Sequence, residues 1–292
     1  MNQFSTIPSV SRSTKGTHRY FKPDSLDVPV IRIPSTAASF GGFATWEAAS
    51  DLPEGIRVRY IGDASQITIE SSQNTLCVPA SAVASQNGFR TWITSNEAPR
   101  TGRYSYIDHQ VLIDMSPEEI ETHNKLKTEI TRVVANLNQE RDIGELYSDR
   151  VLFTNVAAGL STEPDASLVL WQTMESGRIK LTRLKNRLGR RYKEIRGTAD
   201  WVLEILSSWY VKKDTEKNRK AYHRAKVPEF WLVDALGDEI VFQILLWRKR
   251  GYVAVTPKDG WHRSRIFGCS FRLDRTPNRM GLWRYRLHVR DS

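Results

Sequence analysis

At 292 residues with 40% hydrophobic content, the chain can bury a sizeable core as one large domain or two small ones. Its formal charge of +10 points to an acidic partner, with nucleic acid ahead of a membrane surface, although a basic protein with no such partner has the same composition. Cys77 and Cys269 are too few and too far apart for a disulfide framework or a zinc motif, and no stretch has signal-peptide or bilayer-spanning character, so a reducing cytoplasm is the default compartment and no membrane is expected.

Residues 1–37 are rich in Ser, Thr, Pro and Arg without sustained periodicity and read as a disordered basic arm. An internal repeat follows. Gly42-Phe43-Ala44-Thr45-Trp46 returns as Gly88-Phe89-Arg90-Thr91-Trp92, Pro53 as Pro99, Arg57 as Arg103, Tyr60-Ile61 as Tyr106-Ile107 and Ile67 as Ile113, all at one offset of 46 residues. Two copies are too few for a solenoid. Each predicts a short helix, a Pro-containing turn and a two-stranded hairpin, with the aromatic pairs in the core. Residues 38–87 are the first copy; the second opens a main domain spanning 88–292.

Asp114-Met-Ser-Pro-Glu-Glu119 reads as a helix start, with Ser116 as N-cap, Pro117 in the first position and Glu119 closing a capping box. Ile120, Leu126, Ile130, Val133, Val134 and Leu137 then mark one amphipathic face. His123 near its start is a packing or capping residue, or an accessory to a site. Gly144 to Thr154 reads as a strand.

Two apolar strands each carry an acid. Asp165 leads into Leu168-Val169-Leu170, and Glu204 lies inside Trp201-Val-Leu-Glu-Ile-Leu206. Either acid alone would be a strand-end carboxylate or half of a structural ion pair. Together, followed by a Lys-rich helix, they suggest hard oxygen ligands for Mg²⁺ or Mn²⁺ and a cation for a phosphate. Between the strands lie Arg178, Lys180, Arg183, Lys185, Arg187, Arg190, Arg191 and Lys193 against one acid, Glu194. Such a run repels itself unless an anion is near, which favours a grip on a phosphate backbone close to the two acids; a solvated basic loop is the alternative. A helix ending before Pro228, a strand at Phe230–Asp234, two more at 240–247 and 252–255, and short β pieces with Trp261, Phe271, Trp283 and Tyr285 complete the chain.

The order of helix 117–140, strand pair, Pro164-Asp165, Val-Leu-Glu204-Ile-Leu-Ser207, Lys-rich helix, Tyr222 and Val227-Pro-Glu-Phe-Trp-Leu-Val-Asp234 resembles the Uma-two family. That family consists of restriction-endonuclease-like proteins within the PD-(D/E)XK nuclease superfamily, and the likeness spans roughly Gly88 to Leu273. The resemblance implies an α/β (α+β) fold with an αβββαβ core and a central mixed sheet flanked by helices. It also implies metal-dependent hydrolysis of DNA phosphodiesters, with Asp165, Glu204 and the Ile205 carbonyl on Mg²⁺ or Mn²⁺. The superfamily's lysine two residues after the second acid is Leu206 here, and the family's helical lysine position is Asn218. Lys213 first and Lys217 second are the available replacements. Double-stranded DNA is the expected partner, with a homodimer carried as a further assembly. A non-cleaving nucleic-acid-binding protein and a module that docks an acidic protein are the alternatives.

Overall fold

The computed structural model describes residues 30–53, 55–71, 75–99, 101–183, 191–207 and 212–291, the last without the side chains of 212–215. Residues 1–29, and with them most of the expected arm, lie outside the described residues. The arm does not reach residue 37: Ile31–Pro34 already form strand β1, with Ile31 and Ile33 buried.

The repeat folds as two copies of one unit. The first comprises β1, a 3₁₀ turn (Ser35–Ala38), helix α1 (Phe40–Ala49), β2 (Arg57–Ile61) and β3 (Gln66–Glu70). The second comprises β4 (Thr75–Pro79), α2 (Ala80–Ala84), α3 (Gln86–Ile93), β5 (Arg103–Ile107) and β6 (Gln110–Asp114). Ser39 and Ser85 cap α1 and α3 by accepting from the amides of Gly42 and Gly88. Phe43 meets Trp46 and Tyr60 edge-on or tilted, and Phe89 meets Trp92 and Tyr106 in the same way.

The constant offset breaks at two points. The second hairpin has a shorter turn, so Tyr60 faces Ile67 while Tyr106 faces Val111; Val111, not Ile113, is the counterpart of Ile67. Each copy also begins with a strand that the offset does not reveal. These strands are exchanged: β1 pairs with β6 (Ile33 opposite Val111), and β4 pairs with β3 (Val78 opposite Ile67). The two copies are interlocked around one core holding Ile33, Phe43, Ile67, Val78, Phe89 and Val111.

Helix α4 (Lys125–Arg141) begins later than its capping signal suggests. A single π turn, Ile120–Asn124, precedes it, and Glu119 is the cap, its carboxylate accepting from the amides of Glu121, Thr122 and His123. Ser116 instead donates to Asp114 (2.5 Å). A carboxylate at an N-terminus meets both the orphan amides and the positive end of the helix dipole, which a serine hydroxyl does only in part.

The stretch from Gly144 to Thr154 is two strands. β7 (Gly144–Ser148) and β8 (Leu152–Asn155) are separated by Asp149 and Arg150, at φ 47° and 53°, and belong to different sheets. β9 (Leu160–Thr162), β10 (Ala166–Leu170), α5 (Trp171–Glu175), β11 (Lys180–Arg183), β12 (Tyr192–Arg196), β13 (Trp201–Ile205), α6 (Lys212–Arg224), β14 (Glu229–Asp234), β15 (Val241–Arg248) and β16 (Gly251–Ala254) follow. The chain closes with β17 (His262–Arg263), β18 (Ser270–Pro277) and β19 (Trp283–Arg290).

The central sheet has the order β16-β15-β14-β13-β10-β7, with β13 and β14 parallel and the other pairs antiparallel. Reading α4, β7, β10, β13, α6 and β14 in turn gives the expected αβββαβ order. Leu126, Ile130 and Val134 of α4 pack on one face with Trp201, Leu203 and Trp231. Val202 and Phe230 on the other face pack with Ala221 and Tyr222 of α6. The second sheet, β1-β6-β5-β9-β8-β12-β11, takes in the second copy's hairpin and the basic β11–β12 hairpin.

Candidate active site

β10 and β13 run antiparallel with Ala166 opposite Leu203. One step further along this register brings Asp165 opposite Glu204. Both lie on the strand face that carries Ser167 and Val202, because side chains alternate at period two. The two acids that the sequence singles out border one cavity, with Arg103, Ser105, His123, Thr162, Glu163, Ile205, Ser207 and Asn218.

Asp165 is buried and fully engaged. Its Oδ2 accepts from the Ile205 amide at 2.8 Å, and its Oδ1 lies 3.3 Å from His123 Nε2 and 3.5 Å from Arg103. Burial alone would raise its pKa; the hydrogen bond and charge of His123, the guanidinium of Arg103 and the Ile205 amide outweigh it and hold the carboxyl below its usual range. Glu204 goes the other way. Burial first, and then the neighbouring Asp165 charge, push it up to about 8 against the opposing pull of Tyr222 and Arg103. The Tyr222 hydroxyl donates to Glu204 Oε1 at 2.5 Å. Two opposed carboxylates with their pKa values driven apart are the electrostatic mark of a site short of positive charge.

His123 bridges two acids, with Nδ1 3.1 Å from Glu118 and Nε2 on Asp165. Its burial would lower its pKa, but Asp165 raises it above the ordinary value. Arg103 behaves alike: burial opposes its charge, while Asp165, Asp149, Glu118 and Glu204 favour it. It lies within 3.9 Å of Glu118 and borders the cavity.

Asn218 projects from α6 into the cavity with its Oδ1 buried and, among the described residues, without a hydrogen-bond partner. An orphaned buried acceptor carries a desolvation cost unless something at the cavity answers it. Two carboxylates and an amide oxygen form a hard donor set of the kind that suits Mg²⁺ or Mn²⁺. Among the described residues, no three His, Cys, Asp or Glu side chains are grouped to hold a metal by themselves. A cation here would therefore complete its shell from amide, main-chain or water oxygens, as Mg²⁺ commonly does.

Of the other expected residues, Ile205 borders the cavity and Lys217 does not. Lys217 reaches Gln110 at 3.3 Å in the second copy's hairpin; the residue beside it on α6, Asn218, takes that place. The side chain of Lys213 lies outside the described residues. Ile205 meets the site through its amide. Of the basic run, Lys180, Arg183 and Lys193 lie on β11 and β12, at the far edge of the second sheet, and none of its described residues borders the cavity. Arg178 binds Ser176 and Thr173, Lys193 binds the carbonyls of Thr94 and Ser95, and Lys180, Arg183 and Arg191 are exposed. Lys185, Arg187 and Arg190 lie outside the described residues. Glu194, the run's one acid, is buried and clamped by Arg90 at 2.5 and 2.8 Å.

Arg103 is a site residue that stands in the sequence only as the repeat match of Arg57. No local pattern separates the two: Arg57 is exposed, whereas Arg103 opens a strand that joins the second sheet beside the acids.

This αβββαβ core, with two opposed acids on adjacent strands, has the restriction-endonuclease-like fold. The Uma2 family profile, described as "Putative restriction endonuclease", matches residues 64–274, and the chain belongs to that family. A solved structure from Anabaena variabilis ATCC 29413, titled as a putative nuclease belonging to DUF820, is 19% identical and covers 63% of this chain and 90% of its own, with a TM-score of 0.44. No curated protein matches the chain. Among the described residues, no helix is long and apolar enough to cross a membrane.

Proposed function

We propose that this protein is a metal-dependent nuclease that hydrolyses phosphodiester bonds in double-stranded DNA. The observation that carries the reading is the opposition of Asp165 and Glu204 across a cavity that also holds the unpartnered Asn218 oxygen. Asp165, Glu204 and Asn218 would hold Mg²⁺ or Mn²⁺. The bound ion would polarise the phosphate and lower the pKa of an attacking water. A cation between the acids favours the charged form of both, which is the form Glu204 resists without one. His123, held by Glu118, fixes the orientation of Asp165. Tyr222 fixes Glu204. Arg103 takes the role for which Lys213 and Lys217 were candidates, offering its guanidinium to the phosphate as charge develops. The exposed Lys180, Arg183 and Arg191 would hold the backbone away from the cavity.

Family membership and free Cys77 and Cys269 fit this reading and a reducing, cytoplasmic setting. The second reading, a nucleic-acid-binding protein without cleavage, draws on Asn218 standing where the family lysine is expected. Plasmid cleavage decides between them. The wild type should cleave with Mn²⁺ and stop in EDTA, and Asp165→Asn should lose cleavage while melting as a folded protein. Wild-type-level cleavage by Asp165→Asn would sink the assignment; DNA bound but uncut by the wild type would favour the second reading.

A further inference from the structure

The last hairpin carries a strictly alternating strand, Trp283-Arg-Tyr-Arg-Leu-His-Val-Arg290. Tyr285 and Leu287 are buried, in the core that α4 shares. Period two then sends Arg284, Arg286, His288 and Arg290 to the opposite face, where the three arginines are exposed. The register sets Arg290 beside Ser270, His288 beside Arg272, Arg286 beside Asp274 and Arg284 beside Thr276, and it sets exposed Arg263 of β17 beside Ser270. Five arginines therefore share one face of a three-stranded sheet. Its one carboxylate on these strands, Asp274, is occupied by Arg272 at 3.1 Å and His288 at 2.9 Å. Among the described residues, Arg263, Arg284, Arg286 and Arg290 have no acid within ion-pair distance.

Like charges side by side on a sheet repel and weaken it. Trp261 offsets this in part. Its ring lies under two guanidiniums, Arg290 at 4.4 Å and Arg272 at 5.1 Å. Stacking on an aromatic ring leaves the planar donor edge of each guanidinium available for phosphate. Along β19, Arg284 and Arg286 are two residues or about 6.7 Å apart and Arg290 lies four residues or about 13 Å further on, with His288 between, so the face offers a row of forks and suits an extended polyanion better than a single small anion.

We propose that this C-terminal sheet face is a docking surface for the phosphate backbone of duplex DNA, separate from the β11–β12 hairpin and from the cavity. It rests on the nuclease reading only for the choice of polyanion. All of β19 lies beyond residue 274, where the family match ends, so Arg284, Arg286 and Arg290 are added to the shared core, whereas Arg263 and Arg272 lie within the matched region.

The test is equilibrium binding of a fluorescein-labelled duplex in EDTA, where cleavage plays no part. Arg284→Ala/Arg286→Ala/Arg290→Ala should weaken binding at least about 30-fold at low salt and flatten the log–log salt dependence by about 2 to 3. Arg248→Ala/Lys249→Ala/Arg250→Ala, an equal loss of exposed charge at another hairpin, should change the slope by less than half as much. Unchanged binding in the first variant, or equal losses in both, overturns the proposal. So does a first variant that loses only its binding to vesicles containing phosphatidylserine. Duplex held through these arginines by a wild type that never cleaves would refute the nuclease reading and leave this surface standing. Metal-dependent cleavage with unaltered affinity in the hairpin variant would do the reverse.

Discussion

Arg103 and Lys217 carry the same charge, but only Arg103 borders the cavity, 3.5 Å from Asp165. Removing one donor aimed at developing charge costs on the order of 10²-fold in rate. Arg103→Ala should therefore lower kcat about that much with Mn²⁺ binding retained by calorimetry, whereas Lys217→Ala should cleave within a few-fold of the wild type. The opposite ranking would return the role to α6. Glu194 gives a prediction of another kind. Its carboxylate is 1% exposed and faces Arg90 at 14%. Burial opposes its charge, but hydrogen bonds from Arg90 and Thr182 hold its pKa below the carboxyl value of 4.5. A group depressed on folding stabilises the protein above its unfolded pKa, and the gain disappears as pH falls through the folded value. Glu194→Gln should cost about 3 kcal/mol near neutrality, as for a broken buried pair. In urea melts the gap from the wild type should be constant above about pH 5 and narrow below it. A gap that widens in acid would contradict the pairing. In the sequence Glu194 was only the exception within a basic run; its partner lies on a helix a hundred residues earlier, and no local pattern links them.

Helices α1 and α3 each enclose a glycine whose reason is contact. A Cβ on Gly88 would meet the Ser81 carbonyl oxygen at 1.8 Å, and one on Gly42 would meet that of Thr36 at 1.9 Å. In an open helix, glycine to alanine gains up to about 1 kcal/mol. Here Gly88→Ala should destabilise, by about 1–3 kcal/mol as for other overpacked sites, and thermal melting of Gly88→Ala and Gly41→Ala reads the contrast, since among the described residues nothing lies within 4 Å of a Cβ on Gly41. Equal melting temperatures would mean that the close approach relaxes freely. The αβββαβ order came from the family resemblance; what the residues themselves made legible were the apolar runs of β10, β13 and β14 and the stripe of α4, repeated over about three turns. The second sheet was not legible. β8 and β9 have only four and three residues, and their order is set by partners such as β5 and β12 that are distant in sequence. The break between β7 and β8 rests on two non-glycine residues at positive φ, a conformation that Asp149 tolerates but does not announce.

At the scale of the molecule, the site is assembled across the chain. Arg103 comes from the duplicated unit, His123 from the turn before α4, Asp165 and Glu204 from the central sheet, and Asn218 from α6. The sequence located the two acids because a charge inside an apolar run stands out; Arg103 and His123 join them only through packing between sheets. The exchanged strands of the duplicated unit also bear on synthesis. β1 leaves the ribosome early, yet its partner β6 is made only after both α1 and α3, so the first copy cannot close on itself as it emerges. Contacts this distant in sequence are made late. A nascent chain stalled just before β5 should be cut by protease around Ile31–Pro34 much faster than one stalled beyond β6, and equal protection would mean that β1 finds another shelter. The early half of this protein therefore spends part of its birth with an uncovered apolar strand, a period in which chaperone binding or mispairing with a neighbouring nascent chain competes with correct closure.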